Sequence, residues 1–252
     1  MDSLFKHLPF MFCYLDDIII ASRSLEEHIE HLRQIFTILQ ENGLQINPAK
    51  CVFAAAAVEF LGHRVDQHSL RPLHRHVQAI SDFPPPQDVK QSQQFLGMLN
   101  FYRHFLPGIA RTLQPLTDAL KGAPKTLEWP PAAAFGAAKA ALAAAVPLAH
   151  PAPNAVLSLA TDASDTHVGG MLQQLTGGRW QPLAFYSKKL SGAGTRYSTF
   201  DKELLAAFTR SDISGSYCRD DNSACLPTTS RSSHPCSAQR RRGRPANNDS
   251  SP

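Results

Sequence analysis

Two adjacent carboxylates, Asp16 and Asp17, stand between two apolar runs near the N-terminus. The runs, within Met11 to Ala21, predict two strands around a tight turn, Tyr14-Leu15-Asp16-Asp17. Like charges at such short range oppose each other, and a divalent cation removes that cost. Mg²⁺ binds carboxylate oxygens and substrate phosphates, so the pair suits two-metal phosphoryl transfer. The alternative is a plain polar hairpin turn, because Asp is common in turns.

A second pair of acids, Asp162 and Glu203, lies in the last third of the chain. Leu157 to Ser164 predicts a strand that contains Asp162, and Ser198 to Phe208 predicts a capped helix with Glu203 in its first turns. By itself, Glu203 is equally typical of a first-turn acid that complements the helix dipole. Two further acids nearby are interpreted as turn or cap residues: Asp165 and Asp201.

The intervening segments predict the elements that carry these acids. Ser24 and Glu27 form a capping box for a helix that ends at Gly43. The apolar residues of that helix share one face: Leu25, Ile29, Leu32, Phe36 and Leu39. The remaining predicted elements are short strands over 44–65 broken at Asn47-Pro48 and Gly62, a stiff linker at 84–86, a helix capped by Asp88 and Gln91 that runs through Tyr102, helices over 108–120 and 132–146, a linker over 147–154, a hairpin over 156–172 and a strand over 180–186.

Composition limits the class of protein. Of 252 residues, 43% are hydrophobic and 18% are charged, which is enough apolar content for a core over most of the length. The net charge of +4 suits a polyanionic partner. An odd number of cysteines, five, fits a reducing intracellular compartment. No apolar run reaches the roughly 18 residues of a membrane span, so no membrane partner is expected.

Zinc binding is not expected from the cysteine and histidine spacing. The candidate ligands match no finger or knuckle pattern: Cys51, His63, His68, His74 and His76.

Several motifs occur in order between Phe12 and Phe208. They are Tyr14-Leu15-Asp16-Asp17-Ile18-Ile19-Ile20-Ala21-Ser22, Asn47-Pro48-Ala49-Lys50-Cys51, Val58-Glu59-Phe60-Leu61-Gly62-His63, Phe95-Leu96-Gly97, Pro115-Leu116-Thr117, Thr161-Asp162-Ala163-Ser164, Phe185-Tyr186-Ser187-Lys188-Lys189-Leu190 and Tyr197-Ser198-Thr199-Phe200-Asp201-Lys202-Glu203-Leu204-Leu205-Ala206. With these motifs the chain resembles the reverse transcriptase and RNase H of gypsy-type LTR retrotransposon Pol polyproteins.

The resemblance implies an α+β fold: a partial reverse transcriptase palm with a helical thumb and connection, then an incomplete RNase H-like α/β domain. We expect the C-terminal part of the palm over 1–82 and the thumb and connection over 83–150. The N-terminal half of the RNase H-like domain is expected over 151–208, and a disordered tail over 209–252.

The resemblance also implies roles for individual residues. Asp16 and Asp17 would bind the polymerase metals, and Asp162 and Glu203 would be two of four RNase H ligands; the ions are Mg²⁺ or Mn²⁺. Nucleotide contacts would come from Tyr14 and Lys50, and primer-grip or nucleic-acid contacts from Phe60, Leu61, Gly62, Gln93, Asn100 and Arg103. Lys50 could instead be a surface lysine, and Phe60 and Leu61 plain core residues.

The implied partners are an RNA template, a DNA primer and an RNA/DNA hybrid, and the implied location is intracellular: cytoplasm, retroelement particle or nucleus.

Both two-metal sites are expected to be incomplete. The third polymerase carboxylate of this family would precede Met1, and two RNase H acids are missing from the written sequence. We therefore expect a fragment without polymerase activity of its own. The alternatives are a non-catalytic nucleic-acid-binding remnant and an inert product of a degenerate element.

Composition changes abruptly near Thr209. Ser211 to Pro252 is rich in Ser, Arg, Pro, Asn and Asp, which predicts disorder. A shifted frame, built from the third base of each written codon and the first two of the next, allows family-like sequence at 210–215, 225–232 and 239–252. The second segment then encodes Leu-Thr-Asp-His-Lys-Pro-Leu. The hypothesis is a frameshifted second half of RNase H.

Overall fold

The computed structural model describes residues 2–5, 7–122, 132–208 and 225–229. Its helices are α1 (Asp2–Phe5), α2 (Leu25–Glu41), α3 (His74–Ser81), α4 (Val89–Phe101), α5 (Ile109–Asp118), α6 (Ala132–Ala143) and α7 (Thr199–Phe208). Its strands are β1 (Met11–Tyr14), β2 (Asp17–Ile20), β3 (Ala57–Phe60), β4 (His63–Asp66), β5 (Ser69–Pro72), β6 (Leu148–Ala149), β7 (Val156–Ala163), β8 (His167–Thr176), β9 (Arg179–Lys189) and β10 (Cys225–Thr229). None of the described helices has both the length and the apolarity to cross a membrane.

The predicted N-terminal hairpin and its following helix are confirmed. Strands β1 and β2 pair antiparallel, with Tyr14 opposite Asp17. Helix α2 begins with the predicted cap, because the Glu27 backbone N–H donates to Ser24 Oγ at 3.2 Å. The Glu27 carboxylate accepts from the backbone N–H of Arg23. The first bond satisfies a donor that the first turn of a helix leaves without a partner, and the second fixes the chain just before the cap.

The predicted apolar face of α2 is only partly the buried one. Ile35 and Leu39 pack with Cys13 in a small core beneath the hairpin. Leu25 and Ile29, which the helical period places on the predicted face, are 60% and 44% exposed. Periodicity identifies an apolar stripe, whereas the position of the hairpin decides which part of the helix surface is covered.

The strand predicted at the start of 44–65 is wrong. Residues 44–47 form no strand, and Pro48–Lys50 forms a 3₁₀ helix. Asn47 caps this helix, since its side-chain oxygen accepts from the Ala49 backbone N–H at 3.1 Å. Pro48 carries no backbone N–H for a sheet, and an Asn side chain competes with sheet pairing.

A four-stranded antiparallel sheet in the order β3-β4-β5-β6 follows. Its last strand comes from far along the chain, with Leu148 opposite Leu70. Helix α3, which the sequence pattern did not indicate, connects this sheet to the helices. Its N-cap is Leu73, and no side chain caps it, so the usual sequence signal for a helix start is missing.

The third sheet has the order β10-β7-β8-β9, with β7, β8 and β9 antiparallel and β10 parallel to β7. Its core includes Leu159, Leu172 and Leu183, and helix α7 adds Leu205. The hairpin over 156–172, the strand over 180–186 and the helix over 198–208 are thereby confirmed, with strands longer than predicted. For Cys225–Thr229 the predicted disorder is wrong, because these residues form β10. Residues 209–224 and 230–252 of the predicted tail lie outside the described residues.

The largest core joins the helices to the third sheet. Leu99 is 0% exposed and Phe95 is 1% exposed. They pack with residues of α5 and α6, including Leu113 and Leu142, and with Phe185 of strand β9. The helices α4, α5 and α6 and the third sheet therefore share one apolar interior.

The segment that leads into the third sheet is held by a buried glutamine. Gln174 is 1% exposed. Its amide nitrogen donates to the His150 carbonyl at 2.8 Å, and its amide oxygen accepts from the Ala152 backbone N–H at 2.9 Å. The His150 ring Nε2 lies 2.6 Å from the Asp66 carbonyl of the second sheet. A polar network thus connects the second and third sheets.

Candidate functional site

The Asp16-Asp17 pair occupies the turn of the β1–β2 hairpin. Both carboxylates are exposed, and Asp17 is the first residue of β2. Leu15 has φ 55, a left-handed conformation that costs a non-glycine residue on the order of 1 kcal/mol or more. Such strain concentrates at functional turns. The carboxylate oxygens suit Mg²⁺, which leaves its remaining positions to water and substrate phosphates.

In the described part of the chain, no group of three His, Cys, Asp or Glu side chains comes together as a metal site. The hairpin therefore presents two carboxylates. Lys50 ends the 3₁₀ helix with an exposed side chain and forms no ion pair with Asp16 or Asp17 among the described residues. Its predicted nucleotide contact remains a prediction, as does that of Tyr14, which is 51% exposed.

The hairpin is fastened to α2 by a serine between two histidines. Ser22 Oγ lies 3.0 Å from His28 Nδ1 and 2.9 Å from His31 Nδ1. The His31 ring stacks on Phe10, with 3.6 Å between ring centroids. Ser22 lies two residues after the end of β2, so these contacts help to hold the strand that carries Asp17. The sequence contained both histidines, but only tertiary contact shows what they do.

The Phe60-Leu61-Gly62 turn lies against the same hairpin. Phe60 meets Phe12 of β1 edge to face, with centroids 6.1 Å apart. Leu61 and Gly62 have φ 46 and φ 76, as a tight two-residue β-turn requires. A Cβ on Gly62 would lie 3.1 Å from the Phe101 ring. Glycine is needed there both for its backbone conformation and for its small size.

A tyrosine holds that turn to helix α4. The Tyr102 hydroxyl donates to the Gly62 carbonyl at 3.0 Å, and His76 Nδ1 lies 2.9 Å from the same hydroxyl. Burial raises the pKa of Tyr102, so the hydroxyl remains a donor. Sequence reasoning missed Tyr102 as a positioning residue, because its partner lies 40 positions away.

His63, next to that turn, stacks between the Phe101 and Phe105 rings, with centroids 5.1 Å and 5.4 Å away. Burial lowers the pKa of His63 below its ordinary 6.5, and the neighbouring His76 contributes in the same direction. The unfolded chain therefore takes up a proton more readily than the folded chain. The stabilisation that neutral His63 contributes is therefore fully present above pH 6.5, the ordinary pKa of histidine, and is lost as the pH falls below that value toward the lowered pKa of the folded chain.

We expect the free energy of unfolding to decline between about pH 7 and pH 5. The variant His63→Phe should flatten part of that decline, because the aromatic packing remains and one titrating group is removed. Denaturant unfolding at stepped pH measures it, and His68→Gln, at an exposed position, is the matched control. A decline as steep in His63→Phe as in the parent chain would contradict the assignment.

Of the three predicted thumb contacts, Gln93, Asn100 and Arg103, the structure places Arg103 against the third sheet. Gln93 and Asn100 are exposed and lie seven residues apart on α4, which places them on one helix face. Arg103 is half-buried, and its Nη2 donates to the Ser187 carbonyl at a long 3.5 Å. The structure thus brings Arg103 to strand β9, while the predicted nucleic-acid contacts of all three residues stay predictions.

The second acid pair is carried by two packed elements. Asp162 is exposed near the end of β7, opposite Gly169, and Glu203 is half-buried on α7. Asp201 belongs to the helix cap: its backbone N–H donates to Ser198 Oγ at 3.1 Å. Asp165 accepts from Lys202 Nζ at 3.3 Å. The interpretation of Asp165 and Asp201 as structural residues agrees with these bonds.

Two family models match the chain. Residues 1–65 match the reverse transcriptase (RNA-dependent DNA polymerase) family. Residues 129–215 match the RNase H-like domain found in reverse transcriptase. The first match includes both acids of the hairpin turn, and the second includes Asp162 and Glu203.

Curated relatives are transposon polyproteins. The chain is 34% identical over 218 residues to the retrovirus-related Pol polyprotein from transposon opus of Drosophila melanogaster, covering 81% of the chain and 22% of the relative. It is 34% identical over 197 residues to the transposon Tf2-3 polyprotein of Schizosaccharomyces pombe, covering 77% and 15%. The chain thus spans less than a quarter of the length of these relatives.

Solved structures share the fold. The foamy viral protease-reverse transcriptase dRH in complex with ds DNA superimposes with a TM-score of 0.81 at 22% identity, over 90% of this chain and 40% of that one. The same viral protein in complex with RNA/DNA hybrid gives 0.78 at 22% identity, over 90% and 31%. The predicted α+β fold is confirmed. The chain therefore corresponds to the reverse transcriptase and RNase H-like part of transposon Pol polyproteins.

Proposed function

We propose that the chain comes from a gypsy-type LTR retrotransposon Pol polyprotein whose intact form copies RNA into DNA and cleaves the RNA of the hybrid, with Mg²⁺ or Mn²⁺ at both sites. The observation that carries this proposal is the strained Asp16-Asp17 turn, which packs through Phe12 and Phe60 against a turn held by Tyr102. A phosphoryl transferase needs carboxylates that are held in place beside the end of the nucleic-acid strand being extended. Both reactions would take place in the cytoplasm, a retroelement particle or the nucleus.

We further propose that this 252-residue chain binds nucleic acid without catalysing either reaction. The support is the number of acids: each site has two carboxylates, and no cluster of three potential ligands occurs in the described ranges. A metal held by fewer anionic ligands is bound more weakly. Its partners would be a primer–template and an RNA/DNA hybrid.

For the purified 252-residue protein we expect no primer extension and no RNA cleavage with Mg²⁺ or Mn²⁺, alongside salt-sensitive binding of an RNA/DNA hybrid. A labelled primer–template measures the first, and fluorescence anisotropy at about 50 and 200 mM salt measures the binding. Robust extension that disappears in Asp16→Asn would overturn the loss of catalysis. Hybrid binding that is absent at the lower salt would overturn the binding role.

The tail is proposed to be a frameshifted second half of RNase H. Strand β10 supports this, because Cys225–Thr229 runs parallel to β7, the strand that carries Asp162. The shifted frame would place its Leu-Thr-Asp-His-Lys-Pro-Leu segment over β10 and the residues that follow. A third acid would then lie on the strand beside Asp162. The coding DNA tests the proposal: stop codons in the shifted frame, or the lack of that acid-bearing segment, would refute it.

A further inference from the structure

Helix α2 carries an apolar stripe that the described part of the chain leaves uncovered. Its members are Leu25, Ile29, Leu32 and Phe36, and none of them belongs to the small core beneath the hairpin. Leu25 is 60% exposed, Ile29 44% and Phe36 39%. Leu32 is half-buried. Large apolar side chains that lie side by side on a surface mark interaction sites, because water is released when a partner covers them.

The neighbouring face of α2 is already occupied. Ile35 and Leu39 are buried in the core beneath the hairpin. The Nδ1 atoms of His28 and His31 lie 3.0 Å and 2.9 Å from Ser22 Oγ. The helix cannot turn its stripe inward without breaking these contacts, so the stripe needs a partner from outside the described fold.

The stripe has the residue spacing of a seam between two helices. Its members follow one another at intervals of four, three and four residues. This 3.5-residue repeat lets two helices interlock their side chains along one line. Phe53 lengthens the seam at the Phe36 end, since the two rings meet edge to face with centroids 6.4 Å apart and Phe53 is 48% exposed. The surface therefore fits another amphipathic helix.

The charges beside the stripe match an antiparallel copy of the same helix. Glu26 and Arg33 are exposed and flank the stripe on its outer side, seven residues apart. In an antiparallel pair these flanks face each other, so Glu26 of each copy meets Arg33 of the other. A parallel pair would instead set them against the flank of His28 and Ile35, which carries no acid. Arg33 also lies 3.6 Å from Glu30 on its own helix, an exposed pair that contributes little.

We propose that two copies of this chain pair through the α2 stripe, antiparallel about a two-fold axis. Leu25 lies opposite Phe36 of the second copy and Ile29 opposite Leu32, and the symmetry repeats each contact. The β1–β2 hairpin packs beneath α2, and in the described ranges its two strands pair only with each other. The pairing sets two such hairpins side by side, which supports a two-stranded sheet that is marginal alone.

Sedimentation velocity of the 252-residue chain, from about 1 to 200 µM, measures the pairing. The pair covers on the order of 1,000 Å², the lower limit of a specific interface, so we expect a reversible dimer with a dissociation constant on the order of 10 µM. The pairing needs no nucleic acid, so its failure would leave the proposed function standing. A chain that stays monomeric over the whole range would overturn the pairing and leave the stripe to a different helix.

Ile29→Glu places a carboxylate in the middle of the seam of both copies. We expect it to weaken the dimer by roughly 30-fold or more, because each carboxylate would be buried without a partner. Gln34→Glu is the control, since it adds the same charge at an exposed position away from the stripe and should leave the dimer unchanged. A dimer as tight in Ile29→Glu as in the parent would overturn the proposal. An equal loss in the control would also overturn it, by showing an effect of net charge alone.

Charge reversal separates the antiparallel pair from unspecific apolar contact. Glu26→Arg and Arg33→Glu should each weaken the dimer by roughly 3- to 10-fold, because each sets like charges against each other twice in the pair. The double variant Glu26→Arg, Arg33→Glu should restore the pairing of the parent. Glu41→Arg, exposed at the end of α2, is the control for a single reversal.

The charge variants change only exposed side chains, so they should keep the fold and remain decisive if Ile29→Glu does not fold. Far-UV circular dichroism of each variant checks the fold. Single reversals that weaken the dimer without recovery in the double variant would overturn the antiparallel arrangement.

Discussion

Replacing Phe95 by alanine should lower the free energy of unfolding by about 3–5 kcal/mol. The ring is 1% exposed and packs tilted against Phe135 and Phe83, with centroids 4.5 Å and 5.7 Å away. Its removal deletes buried apolar surface and leaves a cavity, because the surrounding helices relax only partly. The same core includes Phe185 of β9. The substitution should therefore destabilise the helices α4, α5 and α6 and the third sheet together.

Urea unfolding followed by circular dichroism measures this loss. Phe200→Ala is the matched control, because that side chain is 72% exposed on α7 and its truncation should change stability by less than about 0.5 kcal/mol. If Phe95→Ala and Phe200→Ala unfolded at the same urea concentration, the common core would be refuted. Separate transitions in the parent chain for helices and sheet would likewise contradict a shared interior.

Gln174→Leu should destabilise the chain by about 2–4 kcal/mol, although it replaces a polar side chain by an apolar one of similar size. Gln174 is 1% exposed and bonds to the His150 carbonyl and the Ala152 N–H. Leucine would leave both backbone groups without these partners in the interior, and each such group costs about 1–3 kcal/mol. The Gln181 amide oxygen, 3.3 Å from Gln174 Nε2, would lose a donor as well.

The neighbouring substitution Gln173→Leu is the control, because adjacent strand residues point to opposite faces of the sheet and Gln173 is half-buried. Denaturant unfolding compares the two variants. Hydrogen exchange at the Ala152 amide supplies a local measurement, and we expect that amide to exchange faster only in Gln174→Leu. Equal stability of the two variants would show that the 150–152 segment is not held through Gln174.

Local sequence signals were sufficient to predict the Asp16-Asp17 turn and the starts of helices α2 and α4. The β1–β2 turn and the caps at Ser24 and Asp88 depend on bonds between residues at most four positions apart. Turn and cap residues act through such local bonds, so their types and spacing predict the elements directly. The same holds for Asp162 at a strand end and for the cap of α7 at Ser198.

Local signals were missing or misinterpreted elsewhere. Helix α3 has no side-chain cap to indicate its start. The local Asn47-Pro48 signal, interpreted as a break between strands, instead begins a 3₁₀ helix. The exposed stripe of α2, with Leu25 and Ile29, has the same period as a buried one. Which stripe is covered depends on what packs against the helix, and that information is spread over the whole chain.

The sequence by itself determined the family, the acid pairs Asp16-Asp17 and Asp162-Glu203, and most helix and strand positions, because these depend on residue types at short spacing. Tertiary structure alone decided how the acids are held and what surrounds them. The Tyr102–Gly62 bond spans 40 positions, and the contact between Arg103 and the Ser187 carbonyl spans 84. Contacts over such separations form only when the buried core brings the elements together, so no local pattern encodes them.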